Sequence, residues 1–272
     1  MIKNRQKIEN KARLLWGKTL HNEKINSAHC NQLEDIFKEK WTKALQGSLL
    51  EIGCGTGADL EVYSKNKKIQ KITAIDLGDN IKKLSEKHKD KKDIYINKGN
   101  ALSLKFENNE FDVVYSFGVF HHTADPIKCI SEANRVLKSK GKLFLYLYSS
   151  HEDLLIKRIG ILIETAIMKL LGFIPFSFQR LICTLLSPFC WLIFSVPSLT
   201  LKFLGFKFSA KKFPFYFGSH PFSLVNDLQD RLMSPINHRF SKLEMQSILK
   251  SLNFHASEVI KTSSGLYIYA EK

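Results

Sequence analysis

The sequence predicts an α/β fold: a doubly wound, mostly parallel seven-stranded sheet with a helical apolar insertion between the fifth strand and a final hairpin. Short apolar runs alternate with amphipathic stretches from 49 to 148, which is the pattern of βαβ units. A glycine-rich turn follows the first run, where sheets of this kind bind ligands. A chain of 272 residues can bury a full core and still carry an insertion.

The predicted elements follow one another along the chain. Five apolar runs are interpreted as the parallel strands, at 48–52, 71–76, 93–97, 111–117 and 141–148. Asp125 and Pro126 signal the start of a helix that ends near Leu137. Ser241 and Glu244 form a capping-box pattern that opens a later helix. Two further runs, 256–263 and 265–272, predict the closing hairpin.

Four parts are expected along the chain. Residues 1–47 are interpreted as two basic helices, the second around 31–45, that pack on the sheet or cap its open end. A core at 48–150, an apolar helical insertion at 151–240 and a C-terminal helix with the hairpin at 241–272 complete the organisation.

The net charge and the cysteine content indicate which partners and which cellular compartment to expect. A net charge of +15 favours phosphate-bearing partners or an anionic membrane, and scattered lysine from nucleotide bias in the genome explains it equally well. Five cysteines, odd in number and without paired metal-ligand spacing, indicate a reduced protein with no metal site. The first residues are charged and lack the apolar core of a secretory signal. We therefore expect a cytoplasmic protein.

The insertion contains a long uncharged stretch. Residues 181–201 carry no charge over 21 positions, which is enough to cross a bilayer. Pro188 and Pro197 interrupt this stretch, and serine and threonine recur in it. The favoured interpretation is a helical cover over the substrate entrance, which is buried or lies on a membrane surface. A single straight transmembrane helix is the less favoured alternative.

Three glycines alternate after the first strand, Gly53, Gly55 and Gly57, and such spacing lets a ligand lie against the main chain. Gly53 and Gly55 with Ala58 also fit a dinucleotide fingerprint, with Asp76 ready to accept ribose hydroxyls. An acid precedes the glycines, however. The carboxylate of Glu51 would repel a pyrophosphate, whereas it would favour the ammonium group of a methionine moiety.

Residues 49–148 closely resemble the class I S-adenosylmethionine-dependent methyltransferases. The matching segments, in order, are LEIGCGTGADL, ITAIDL, the stretch from GNAL to HHTADP, and RVLKSKGKLFLYLY. The resemblance implies a Rossmann-like methyltransferase fold with S-adenosyl-L-methionine as cofactor. Two departures stand out, because many relatives carry aspartate where this chain has Asn100, and KSKGKL has one glycine where a pair is usual.

The same resemblance assigns the cofactor contacts residue by residue. The methionine part is expected beside Glu51, Gly53, Gly55 and Gly57, the ribose at Asp76, and the adenine near Asn100 and Ala101, while Cys54, Leu77 and Phe117 complete the implied cofactor-binding set.

Two adjacent histidines follow the predicted fourth strand, at the sheet edge that also bears the glycines. A hydroxyl acceptor needs a base, and the unperturbed histidine pKa of about 6.5 suits His121 or His122 to that task. The alternative is that the pair shapes the cofactor pocket, as in many relatives. Tyr146 and Tyr148, at the end of the fifth strand, are secondary candidates, and Tyr148 is kept as a third catalytic residue.

The expected function is methyl transfer to a hydrophobic or lipid-linked small molecule, with O-methylation as one outcome. The insertion is apolar with basic flanks, which suits an anionic membrane surface and a peripheral location at the inner membrane face. Residues 230–254 resemble a branch related to quinone-biosynthesis methyltransferases. The alternative is an enzyme that methylates RNA or protein. Nucleic acid is not expected, because the fourth-strand region lacks an Asn/Asp-Pro-Pro-aromatic motif and no RNA-binding module is visible.

Overall fold

The computed structural model describes residues 10–11, 15, 29–153, 155–206, 209, 213, 215 and 218–272. Two compact units make up the chain. The first is formed by Met1–Ser150 together with Ile236–Lys272, and the second by His151–Pro235. The first of the two predicted N-terminal helices lies outside the described residues.

A seven-stranded sheet forms the first unit, with the order β3-β2-β1-β4-β5-β7-β6. Strands β1 to β5 are parallel to their neighbours, whereas β7 runs antiparallel to both β5 and β6. The predicted fold class is therefore confirmed. The strands are β1 (Gly47–Ile52), β2 (Ile69–Asp76), β3 (Ile94–Lys98), β4 (Phe111–Phe117), β5 (Leu137–Leu147), β6 (Ala256–Lys261) and β7 (Leu266–Glu271).

Helices cover both faces of this sheet. They are α1 (Cys30–Phe37), α2 (Glu39–Ala44), α3 (Ala58–Tyr63), α4 (Ile81–Lys87), α5 (Pro126–Val136) and α10 (Lys242–Ser251). The two predicted start signals are present, since the Asp125 side chain accepts from the Lys128 amide and Ser241 forms a capping box with Glu244. The single helix predicted around 31–45 is divided at Lys38, where a φ of 47° turns the chain between α1 and α2.

Strand alternation separates the core into two clusters. Val114 and Leu145 belong to the cluster shared with α5 and α10, whereas Tyr115 and Phe144 belong to the cluster shared with α1 to α4. In the second cluster the indole of Trp41 meets the Phe144 ring edge-on at 4.8 Å. Burial of both faces explains why these strands are continuous apolar runs in the sequence.

The order of the sheet reverses between β1 and β4, which lie side by side although they are first and fourth in the chain. Neighbouring crossovers leave on opposite faces at such a point, and a crevice opens outside the carboxyl ends of the strands. The glycine turn after β1 and the histidine pair after β4 therefore lie at one edge.

The second unit is helical. Its helices are α6 (Leu155–Leu171), α7 (Phe176–Cys190), a π-helical turn (Trp191–Ser195), α8 (Val196–Phe203) and α9 (Val225–Met233). Pro188 and Pro197 do not divide the apolar run, because Phe176–Phe203 is one continuous helix of 28 residues. The backbone hydrogen bonding changes to a π turn between the prolines, and Pro197 is the second residue of α8, directly after that turn.

Phe176–Phe203 is the one helix found among the described residues that is long and apolar enough to cross a membrane. This finding rests on length and composition, and core helices of soluble proteins also meet the criterion. Of its most apolar 18-residue stretch, 22% is buried, so most of that stretch lies at the surface.

The second unit ends at Pro235, whereas the sequence predicted that the insertion would reach 240. Residues 236–240 instead run beside the end of β5. The Phe240 amide donates to the Tyr148 carbonyl at 3.0 Å, and the Ser150 amide donates to the Phe240 carbonyl at 3.0 Å. This backbone pairing attaches the segment to the sheet edge that carries the histidines.

Candidate active site

The glycine turn links β1 to α3 and has left-handed backbone at all three glycines, with φ values of 83°, 52° and 82°. A Cβ on Gly53 would lie 2.2 Å from Val119, and one on Gly57 would lie 2.6 Å from Leu84. A Cβ on Gly55 would meet no atom within 4 Å. The protein itself thus excludes side chains at two positions that the sequence analysis explained by a ligand, and Gly55 alone of the three borders open space.

Asp76, the last residue of β2, holds this turn in place. Its Oδ2 accepts from the Gly55 amide at 2.9 Å, and its Oδ1 accepts from the Gly78 amide at 2.6 Å. The Asn80 side-chain amide donates to the Gly55 carbonyl at 2.6 Å. The carboxylate therefore lies beside the open space, and its predicted contact with ribose hydroxyls stays a prediction.

Glu51 is buried near the end of β1, with 2% of its surface exposed. The Tyr63 hydroxyl donates to its Oε2. Burial, followed by the negative charges of Asp59 and Asp76, raises the pKa of Glu51 well above its ordinary value. A cation placed next to these acids would favour ionised Glu51, so the site is electrostatically suited to a positively charged ligand.

Asp59 is a second buried acid, which the sequence analysis did not single out. It accepts from the Tyr115 hydroxyl at 2.5 Å and from the Cys30 amide at 3.0 Å, and His29 Nδ1 lies 3.6 Å from its Oδ2. Burial pushes the pKa of Asp59 upward, but the hydrogen bonds and charge of His29 and its other partners hold it below the usual value. Aspartate is common and usually exposed in a first helical turn, so its burial could not be predicted from the local sequence.

Phe117, at the end of β4, is held between two other rings. The imidazole of His29 stacks on it at 4.6 Å, and the ring of Tyr146 stacks on it at 4.3 Å. The Tyr146 hydroxyl donates to the Ser264 carbonyl at 2.8 Å, which links it to the closing hairpin. This hydrogen bond gives Tyr146 a structural role.

The other predicted cofactor residues lie at the same edge of the sheet. The side-chain oxygen of Asn100 accepts from the Leu102 amide at 3.0 Å and so closes the turn after β3, in which Ala101 is buried. Leu77 is half-buried after β2. Burial, then the charges of Glu51 and Asp76, raises the pKa of the Cys54 thiol well above its ordinary value, so Cys54 stays protonated.

The histidine pair occupies a 3-10 turn, Phe120–His122, and both side chains are buried. The ring of His121 stacks on the Tyr148 ring at 3.9 Å. His122 Nδ1 lies 3.2 Å from the Ile236 carbonyl oxygen. Because a carbonyl only accepts, Nδ1 is the donor in this hydrogen bond.

Residues from 236–240 complete this cluster, and the sequence analysis missed them as site residues. The His238 amide donates to the His121 carbonyl at 2.8 Å, and the Arg239 guanidinium lies 5.0 Å over the Tyr148 ring. Burial lowers the pKa of His238 despite the opposing hydrogen bond with the Thr123 backbone. His238 and Arg239 are visible in the sequence as a basic pair, but their position beside β5 depends on tertiary contacts that the sequence does not show.

The glycine turn at the reversal point and the antiparallel seventh strand are the arrangement that the resemblance to class I S-adenosylmethionine-dependent methyltransferases implied. Residues 50–145 match the family model described as a methyltransferase domain. The predicted family and its cofactor, S-adenosyl-L-methionine, are confirmed. The site fits this cofactor, because the Asp76 carboxylate lies beside the open space at Gly55, and the charges of Asp76 and Asp59 act on the buried Glu51, which suits the positive ammonium and sulfonium groups.

Curated relatives include demethylmenaquinone methyltransferases. The protein of Staphylococcus carnosus is 27% identical over 148 residues, which cover 52% of this chain and 61% of the relative. The protein of Lactococcus lactis is 28% identical over 140 residues, covering 48% of this chain and 55% of the relative. The chain thus spans little more than half the length of these relatives.

Solved structures show the same fold. The YcgJ protein from Bacillus subtilis superposes with a TM-score of 0.51 at 16% identity, covering 86% of this chain and 71% of that one. At this identity the likeness concerns the fold alone.

Proposed function

We propose that the protein transfers the methyl group of S-adenosyl-L-methionine to a hydrophobic small molecule that carries an aromatic ring. The observation that carries the proposal is the group of rings beside the glycine turn. Phe117 and Tyr146 stack at 4.3 Å, and His121 stacks on Tyr148 at 3.9 Å. These buried and half-buried rings make the carboxyl ends of β4 and β5 aromatic and apolar, and such surroundings favour a flat apolar acceptor over a charged one.

The chain's own residues would hold the cofactor. The Glu51 carboxylate would attract the ammonium group, the open backbone at Gly55 would lie against the methionine part, and Asp76 would accept from the ribose hydroxyls. The cofactor supplies an electrophilic methyl on a sulfonium, so the protein mainly aligns the acceptor and excludes water.

His122 is the better of the two candidate bases. Its Nδ1 lies 3.2 Å from the Ile236 carbonyl oxygen, which orients the ring, so a base role would fall to Nε2. The ring of His121 is stacked on Tyr148 and suits the pocket-shaping role. If the acceptor is a hydroxyl, the proton leaves the acceptor oxygen for Nε2 of His122 as the methyl arrives.

The acceptor class is a quinol-like ring. Relatives named demethylmenaquinone methyltransferase match the core of this chain, and the second unit carries most of the exposed large apolar side chains found among the described residues. An acceptor with a lipid tail is compatible with both observations.

The test is a transfer assay with S-adenosylmethionine labelled in its methyl group. The protein is incubated with demethylmenaquinol in detergent micelles, with total RNA, and with extract protein, and Asp76→Ala serves as the matched low-activity variant. Label in the lipid-extractable product supports the proposal. Label in RNA or protein with none in lipid would overturn it and favour the alternative enzyme class.

A further inference from the structure

We infer that the second unit docks onto a lipid bilayer through the exposed apolar stripes of α6 and of the α7–α8 helix. The inference does not rest on the proposed reaction. The outer stripe of each helix is its row of exposed apolar side chains.

The outer stripe of α6 repeats at helical spacing. Leu155, Ile159, Leu162 and Leu170 are 71%, 47%, 69% and 67% exposed. They are separated by three, four or eight positions and therefore share one side of the helix. Phe173, just beyond α6, is 89% exposed.

The outer stripe of α7 continues the pattern through the π turn. Phe178, Leu181, Leu185, Phe189 and Leu192 follow one another at intervals of three or four, and each is at least 52% exposed. Exposed apolar patches of this size are rare on monomeric soluble proteins and mark interaction surfaces.

The inward side of the same helix is small and polar. Cys183, Ser187, Ser195 and Ser198 are fully buried. The Ser187 hydroxyl donates to the Pro221 carbonyl at 2.7 Å, which satisfies it within the unit. A helix of a water-soluble protein buries its apolar side, whereas helices that face lipid pack together through small residues, so this unit has the arrangement suited to lipid.

Threonine hydroxyls along both helices are satisfied without water. Thr165, Thr184 and Thr200 each donate to the backbone carbonyl four residues earlier, at 2.7, 2.9 and 3.0 Å. Such bonds remove the cost of placing a hydroxyl near hydrocarbon.

The excess of basic over acidic residues on these helices favours an anionic lipid surface as the partner. The sequence has no acidic residue from 165 to 226, while Lys169, Arg180 and Lys202 are distributed over the two helices. Glu164, the acid before this stretch, is 15% exposed and lies 3.6 Å from Arg231. Two copies facing each other through this surface would bring like charges together, so anionic lipid is the better complement.

The experiment is flotation of the full chain with vesicles of phosphatidylcholine alone and of phosphatidylcholine with phosphatidylglycerol, at low salt and at 1 M salt. The test variant is Leu181→Gln with Leu185→Gln. The matched control is Ile127→Gln with Leu243→Gln, which removes two exposed apolar side chains from the first unit. Circular dichroism and cofactor affinity show whether each variant is folded.

We expect the wild type to float with both vesicles, more strongly with the anionic ones, and to stay bound in part at 1 M salt. The test variant should lose about tenfold or more in vesicle affinity, and the control should not change. Binding that disappears at 1 M salt and is the same in both variants would overturn apolar docking. Absence of flotation, with oligomers that the test variant dissociates, would assign the surface to a second copy instead.

Discussion

The Cγ2 atom of Val119 lies 2.2 Å from the position that a Cβ on Gly53 would occupy, so these two residues are matched across the reversal point of the sheet. We predict that Gly53→Ala destabilises the fold by about 2 kcal/mol, from overpacking and from the left-handed φ of 83°. Denaturant unfolding measures the loss. Adding Val119→Ala should recover part of it, and an unchanged midpoint in Gly53→Ala would contradict the packing explanation.

Gly55 provides the contrasting case. A Cβ there meets no protein atom within 4 Å, so Gly55→Ala should cost only about 1 kcal/mol of stability, from its φ of 52°. Because the methyl would protrude into the space proposed for the cofactor, S-adenosylmethionine affinity should fall about tenfold or more, as measured by calorimetry. Full affinity in a folded Gly55→Ala protein would place the cofactor elsewhere.

Some features of the glycine turn could be predicted from the sequence and others could not. Its position, its acid and the end of β2 at Asp76 could be predicted, because each depends on a local pattern. The reasons for Gly53 and Gly57 could not, since Val119 and Leu84 are distant in the chain. The buried role of Asp59 and the return of 236–240 to β5 depend on tertiary contacts in the same way.

Glu51 should link cofactor binding to pH. Its pKa is raised in the ligand-free protein, so between its ordinary value and the raised one the carboxyl holds a proton. A bound cation favours the ionised form, and the proton is released, so affinity should rise with pH through this range. Calorimetry in two buffers of different ionisation enthalpy measures the release.

Glu51→Gln is the matched variant for this linkage. It should bind S-adenosylmethionine more weakly and release no proton at this position. Glu132→Gln, away from the glycine turn, serves as the control and should keep the wild-type proton release. Equal proton release in wild type and Glu51→Gln would contradict the role given to Glu51.

Glu132 should make the fold sensitive to acid. Hydrogen bonding by Arg135, opposed by burial and helped by the Leu104 amide, lowers the pKa of Glu132 to about 2 from 4.5. A lowered folded-state pKa stabilises the protein above pH 4.5, and this contribution is lost as the pH falls from 4.5 to about 2. Unfolding midpoints over this range should decline less steeply in Glu132→Gln, and parallel pH profiles would contradict the assignment.

The two histidines should separate in kinetics. His122→Ala should lower turnover about 100-fold with little change in cofactor affinity, because the interaction with a departing proton exists only in the transition state. His121→Ala should mainly weaken cofactor binding, because its buried ring, stacked on Tyr148, has the pocket-shaping role. Turnover at saturating cofactor and calorimetric affinity, measured on both variants, distinguish the roles. Full turnover in His122→Ala would exclude it as the base.

The continuous helix from Phe176 to Phe203 marks a further limit of the sequence pattern. Two prolines predicted an interruption, yet the helix is continuous and has a π turn between them. The apolar character of this run is evident from its composition. The π turn between the prolines has no local sequence motif, so the continuity of the helix could not be predicted.

Titration of S-adenosylmethionine into the wild type and into Asp76→Ala, with NADH titrated in parallel, tests which cofactor the glycine turn binds. Under the cofactor assignment, we expect S-adenosylmethionine to bind the wild type, Asp76→Ala to weaken binding about tenfold or more through loss of the carboxylate, and NADH not to compete. Tight NADH binding by the wild type, or equal S-adenosylmethionine affinity in the two folded proteins, would contradict it.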